Sequence, residues 1–453
     1  MNNQKEFIPV IGLEIHVQLA TKTKLFDRGS ADWFGKKPNT VVGPLALGLP
    51  GTLPVPNKKA IQWAMLLGKS LNCKINKISK FDRKHYFYPD LPKAYQISQY
   101  DQPFSYDGYF EFISPVTGTK KNITITRVHL EEDTGKLIHQ GNETLIDFNR
   151  SGVPLAEIVT EPDFDNSDDV KRFLEELQVH VRYLGISDAD MEKGSMRLEP
   201  NISVRHRKSE QKLPNYKVEI KNINSFRYAK QAIEFEIKRQ EHLIRSGETP
   251  VQETRGYDEF KGVTFSQRRK EGAEDYRYFP EPDIPPFIFD DDFLKVIDDM
   301  MPELPHERLA RFIAQGIKPG DAYVLTRSKS ISDTYELIIK EIKSSVEKLT
   351  HKSKTLEGEI AKLIVNKKVS IEKDTRSVIK EIIQQLTPQE TNEEELIQVI
   401  ESVIETNQKP VQDFKNGKEN SITFLIGQVM KTMKGKADPV GVRKSLEKKL
   451  TDT

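Results

Sequence analysis

Four prolines within seven residues, Pro280, Pro282, Pro285 and Pro286 in "YFPEPDIPPFIFDDDF", interrupt the chain where its composition changes. Proline fixes its own backbone and donates no amide hydrogen, so neither a helix interior nor a central strand runs through such a stretch. Before it lie both tryptophans, Trp33 and Trp63, and most of the Phe, Tyr and Pro. After it Lys, Glu, Ile and Leu dominate. The two ends are built differently, which predicts a domain boundary near residue 295.

With 453 residues the chain is long enough for two or three domains. In the first part "GLEIHVQL", "NITITRVHL" and "PLAEIVT" alternate as strands, between Gly/Pro loops such as "GPLALGLPGTLPVPN". Two helices are interleaved. "NSDDVKRFLEELQVHVRYLG" has polar caps at Asn166 and Ser167 and a stop at Gly185, and the stretch from Asn224 to Gly247 repeats that logic. The rest reads as helix, so the fold class is α+β: a sheet-rich domain at 1–295, a helical linker at 296–330 and a helical tail at 331–453.

The 69 Lys and Arg against 68 Asp and Glu leave a net charge of +1, which carries no whole-chain signal for nucleic acid or membrane. Residues 430–453 differ, with seven Lys or Arg against three Asp or Glu, a local +4. The single cysteine, Cys73, excludes an internal disulfide and a Cys-x-x-Cys zinc site. The N-terminus lacks the apolar core of a signal peptide and no run of 18 or more apolar residues occurs, so a cytoplasmic protein with no membrane association is expected.

Three segments carry candidate chemistry. In "VIGLEIHVQL" the strand period of two puts Glu14 and His16 on one face, with Cα atoms roughly 6.5–7 Å apart. A solvated polar face has the same pattern. In "RVHLEEDTGK" a strand runs into Glu131, Glu132 and Asp133, which is equally an exposed acidic turn or an ion site. Glu157 sits among Leu155, Ala156, Ile158 and Val159, where a buried carboxylate needs a base, a proton or a metal; Arg150 is one such base. Were these segments to converge, Glu14, His16, Glu132 and Glu157 would form an oxygen-rich set suited to Mg²⁺ or Mn²⁺. "KFDRKHYFYPDLPKAYQISQYDQP" interleaves Lys80, Arg83, Lys84 and Lys93 with Tyr86, Phe87, Tyr88 and Tyr95, a composition that suits phosphate, nucleotide or RNA and equally a surface strand. Neither Gly-x-x-x-x-Gly-Lys-Ser/Thr nor Gly-x-Gly-x-x-Gly occurs.

Together "VIGLEIHVQL", "SKFDRKHYFYPDLPKAYQISQYDQP", "HLEEDTGK", "DFNRSGVPLAEIVTEPD", "KVEIKNINSF", "QETRGYDE" and "DYRYFPEPD" resemble the B-subunit family of the bacterial aspartyl/glutamyl-tRNA amidotransferases. "FKNGKENSITFLIGQVMKTMKGKADP" is similar to that family's helical YqeY-like tail. The resemblance implies a cradle-like catalytic domain in a heterotrimer with an amidase A subunit and a small C subunit. It implies an ATP-dependent ligase that phosphorylates Glu on mischarged tRNA(Gln), or Asp on tRNA(Asn), and forms the amide with ammonia from glutamine.

Carried over residue by residue, it implies metal ligands at Glu14, His16, Glu132 and Glu157, and catalytic roles for Glu132, Glu157, Lys84 and Lys93. It further implies cofactor contacts at Arg83 and Lys84 and tRNA contacts at Lys431, Lys434 and Lys436. Its cofactors are ATP and Mg²⁺. Many members of the family carry Cys-x-x-Cys where Gly43 and Ala46 stand here, so no zinc is expected; "MRLEPN" replaces a common "RCDAN", and an "ANW" segment of the tail is absent. A non-catalytic RNA adaptor and a metal-dependent phosphohydrolase are the competing readings.

Overall fold

The computed structural model describes residues 6–269, 276–345, 356–386, 393–433, 437 and 439–451. They divide into two compact units, Met1–Arg308 with Arg327–Lys329, and Leu309–Thr326 with Ser330–Thr453.

The first unit is organised by a nine-stranded sheet. Its order is Val263–Arg269, Glu253–Asp258, Val218–Lys221, Met196–His206, Phe7–Gln18, Pro154–Thr160, Lys120–Glu132, Ser105–Ile113, Lys74–Ile75. Val218–Lys221 and Glu253–Asp258 pair in parallel, and the other neighbours are antiparallel.

Alternation explains which face is covered. In the first strand Ile11, Leu13, Ile15 and Val17 enter a core that also takes Ala60, Ala64 and Leu67 from the helix Lys58–Ser70. Phe173 and Leu177 from the helix Ser167–Leu184, and Ala229 and Ile233 from the helix Phe226–Arg245, complete that layer. Each such side chain contributes roughly 1.5–3 kcal/mol by leaving water. A one-residue slip of the strand would turn Glu14 and His16 into this core, so burial sets the register.

Both helices read from the sequence are present. Asn166 caps the first by accepting from the Asp169 amide, and Gly185 ends it at φ 69°. Ser225 caps the second by accepting from the Tyr228 amide.

A small sheet of Phe279–Pro280, Asp82–His85 and Tyr95–Ser98 meets the end of the Lys120–Glu132 strand. There Gln96 Nε2 donates to the Glu132 carbonyl at 2.7 Å and Ser98 Oγ donates to Glu131 Oε2 at 3.0 Å.

The regular elements described in the second unit are all helices. One core joins Phe312, Tyr335, Ile338, Ile360, Val378 and Ile382; a separate core joins Ile400, Leu425, Val429, Val442 and Leu446. The architecture is mixed α+β, a sheet-rich N-terminal part followed by helices. Among the described residues no helix is long and apolar enough to cross a membrane.

Candidate metal and phosphate site

The polar face of the central sheet carries a row of side chains set by strand pairing. His129 lies opposite Glu157, Glu157 opposite His16, and His16 opposite Arg197. Residues paired directly across strands share a face, so these four stand side by side. Glu157 Oε2 is 3.3 Å from His16 Nε2 and 3.3 Å from His129 Nε2. Glu131, two residues beyond His129 on the same strand, brings Oε1 to 3.8 Å from His16 and Oε2 to 3.8 Å from His129.

Both carboxylates and His129 are buried, and each shifts the others toward the charged form. Burial alone would favour a neutral His16, yet the hydrogen bond and charge of Glu157, with Glu199 and Glu131 beyond, raise its pKa to about 9. Burial opposes the charge on Glu157 too, but His129 and His16 hold its carboxyl well below the usual carboxylate range. Glu131 is also lowered, against its own burial, by Lys84 and His129. Lys84 is raised: burial disfavours its charge, and the Glu131 carboxylate outweighs that.

Glu131, Glu157 and His16 each offer one ligand atom, and the three atoms lie within 4.8 Å of one another. Two carboxylate oxygens and one imidazole nitrogen are a hard donor set that fits Mg²⁺ or Mn²⁺, and an ion bound there would displace the proton that His16 carries against Glu157. His129, hydrogen-bonded to Glu157, orients that ligand from behind.

The expected residues therefore separate. His16 and Glu157 come together, with Lys84 in electrostatic reach. Glu132 does not join them. Its neighbours Val128 and Leu130 face the core, and the strand period of two puts Glu132 on their side and Glu131 on the side of His129. There Glu132 Oε1 lies 2.5 Å from Lys93 Nζ and accepts from the Ile97 amide at 2.9 Å.

Glu14 shares the face of His16 but stands one step along the strand, grouped with Glu199 and Glu219. Asn201 Nδ2 donates to it at 3.0 Å, and Lys221 Nζ lies 3.1 Å from Glu199 and 3.6 Å from Glu219. Arg83 points away from its neighbour Lys84. Its guanidinium binds Glu281 through two bonds of 2.7 and 2.8 Å and lies over the Tyr95 ring at 4.3 Å. Arg150 pairs with Asp133 at 3.5 Å and leaves Glu157 to the imidazoles. Lys431 is exposed near the end of the helix Asn420–Thr432, while Lys434 and Lys436 lie outside the described residues.

His129 and Arg197 were missed by the sequence reading, which named Glu131 in the acidic run but chose Glu132 for the ligand set. The signal was present for His129 and for Glu131: in "RVHLEE" the apolar Val128 and Leu130 alternate with them. At Gly43 an added Cβ would collide with the Asp27 carboxylate, which occupies the space a side chain at 43 would need.

A chain with this face and this helical second unit falls in a class that known families define. The GatB/GatE catalytic domain matches residues 9–295, and the GatB domain of the YqeY kind matches residues 328–450. A relative from Carboxydothermus hydrogenoformans, named as the B subunit of aspartyl/glutamyl-tRNA(Asn/Gln) amidotransferase, is 44% identical over 485 residues, covering 98% of this chain and 99% of its own length. Relatives of the same name from Caldicellulosiruptor saccharolyticus and Thermotoga maritima are 43% and 42% identical, each again covering 98% of this chain. The chain belongs to the GatB family.

Proposed function

We propose that this chain is the B subunit of a glutamine-dependent aminoacyl-tRNA amidotransferase, an ATP-dependent ligase of protein biosynthesis. It phosphorylates the side-chain carboxylate of Glu on mischarged tRNA(Gln), or of Asp on tRNA(Asn), and converts it to the amide. Residues 1–295 are assigned the chemistry, 296–330 the link, and 331–453 a grip on the tRNA that uses Lys431, Lys434 and Lys436. Its partners are an amidase A subunit, which supplies ammonia, and a small C subunit, and it works in the cytoplasm.

The observation that carries the reading is the Glu157 carboxylate held between two imidazoles beside Glu131 on the polar face of the sheet. Glu131, Glu157 and His16 would hold Mg²⁺, with no zinc elsewhere. A bound Mg²⁺ supplies charge neutralisation to the phosphates of ATP. A free carboxylate is a poor acyl donor, so its oxygen takes the γ-phosphoryl group of ATP and releases ADP. Ammonia then adds to the carbonyl carbon, phosphate departs with the carbon–oxygen bond, and the amide remains. Lys84, cationic and close to Glu131, offers its charge to the phosphoryl oxygens. Lys93 and Glu132, buried together, are assigned to the entry of ammonia, where Glu132 takes the proton that the attacking nitrogen loses.

The test uses the chain assembled with its A and C partners, in Mg²⁺. Glu157→Gln is expected to lower tRNA-dependent ATP consumption about 100-fold, with glutaminase activity and tRNA binding retained. Equal ATP turnover by wild type and variant removes Glu157 from the site. No ATP turnover by either, with tRNA still bound, leaves the adaptor reading.

A further inference from the structure

The motif segments "KVEIKNINSF" and "QETRGYDE" take no part in the site above, yet they meet at one pocket. A cavity of about 360 Å³ is lined by Asn222, Asn224, Tyr257, Asp258, Glu259, Phe260 and Phe265. It lies at the end of the strand Glu253–Asp258, and its Phe265 wall stands on the face of the sheet that carries the metal cluster, because strand pairing links them in one row. Phe265 pairs with Gly256, Gly256 with Lys221, Lys221 bonds Glu199, and Glu199 pairs with Glu14. Gly256 has no side chain to hold Phe265 off: its added Cβ would lie 2.5 Å from Phe265 Cζ, so the ring lies across that strand. Four strand spacings separate the strand of His16 from that of Phe265, about 19 Å at the usual interval.

One feature of the pocket, an aromatic ring left in water, is costly unless something binds there. Phe260 is 95% exposed, at the tip of a turn in which the Phe260 and Lys261 amides both donate to Asp258 Oδ1 at 3.0 Å. That turn places the residue where its ring stands in water. Asn222, at φ 62° in the left-handed region that Asn enters more readily than most residues, lines the pocket with Asn224, whose Nδ2 donates to Glu259 Oε2 at 3.4 Å.

We infer that this pocket takes an unpaired nucleobase of RNA, from the single-stranded acceptor end of the tRNA whose aminoacyl group sits at the metal cluster. The inference rests on the amidotransferase reading and extends it. Aromatic rings at Phe260 and Phe265 stack on a base, and carboxamides at Asn222 and Asn224 pair with its edge. The carboxylates of Asp258, which holds the turn, and of Glu259, which accepts from Asn224, repel phosphate, so a base, not the backbone, enters. The distance to the cluster and the open position of Phe260 suit the end of a long polymer reaching across the sheet better than the base of the ATP itself.

The experiment compares wild type, Phe260→Ala, Phe260→Trp and Asn224→Ala in the complex with the A and C partners. It reads KM for mischarged tRNA, KM for ATP, glutaminase activity, and direct binding of uncharged tRNA with and without its unpaired 3′ nucleotides. Phe260→Ala and Asn224→Ala are expected to raise KM for tRNA about tenfold, with KM for ATP and glutaminase unchanged, and Phe260→Trp to restore it. The loss in direct binding should vanish for tRNA lacking the unpaired end. A rise in KM for ATP alone would assign the pocket to the nucleotide. Loss of assembly or glutaminase would assign it to a protein partner, and unchanged constants would show that it holds no ligand; each overturns the inference. Failure of the underlying reading appears separately, as wild type that consumes no ATP with tRNA.

Discussion

Glu131 and Glu132 are the same side chain on adjacent residues, and the fold gives them opposite environments. Glu131 faces His16 and Glu157, whereas Glu132 forms a buried pair with Lys93. Removing one partner of a buried pair strands the other charge, so Glu132→Gln should cost about 3 kcal/mol of stability, seen as a lower denaturant midpoint. If the proposed site holds Mg²⁺, the ion should raise the melting temperature of the wild type, and Glu131→Gln should abolish that rise because it deletes a ligand atom. Equal effects of the two variants in both measurements would show that the distinction is wrong. The alternation of apolar Val128 and Leu130 with His129 and Glu131 was legible in the sequence, and it names Glu131. Arg197 was not legible, because only the pairing of two distant strands puts it beside His16.

At the scale of elements, the helix Ser167–Leu184 shows how local signals and tertiary demands combine. Its ends follow from Asn166 and Gly185, which act through their own backbone neighbourhood. Its buried His180 follows from packing: the ring meets Phe110 edge-on at 5.3 Å, near Ser70 and His306. Burial first, and then the charge of His306, lower its pKa from 6.5 to about 3. The unfolded chain therefore binds a proton that the folded one refuses. The stability this residue contributes is full above pH 6.5 and falls as the pH drops toward 3, at up to about 1.4 kcal/mol per pH unit. His180→Leu should flatten that part of the profile, measured by urea midpoints between pH 7 and 4; an unchanged slope would place the acid sensitivity elsewhere.

For the whole molecule, the three separate hydrophobic cores among the described residues imply that folding is not one event. One serves the sheet and its helices, and two serve successive groups of helices in the second unit. Cooperativity follows shared burial, so calorimetry of the full chain should resolve more than one transition, with a total enthalpy above the van't Hoff value. A single transition with equal enthalpies would show that the cores unfold together. The change of composition near the Pro280–Pro286 cluster, the strand and helix periods, the two helix caps and the family blocks are properties of neighbouring residues, and the sequence alone determined them. Which carboxylate meets which imidazole, why Arg83 is spent on Glu281, and how Phe265 comes to share a face with Glu14 were decided only by the tertiary structure. Each depends on the register between strands far apart in the chain, and that register is set by the burial of the opposite face.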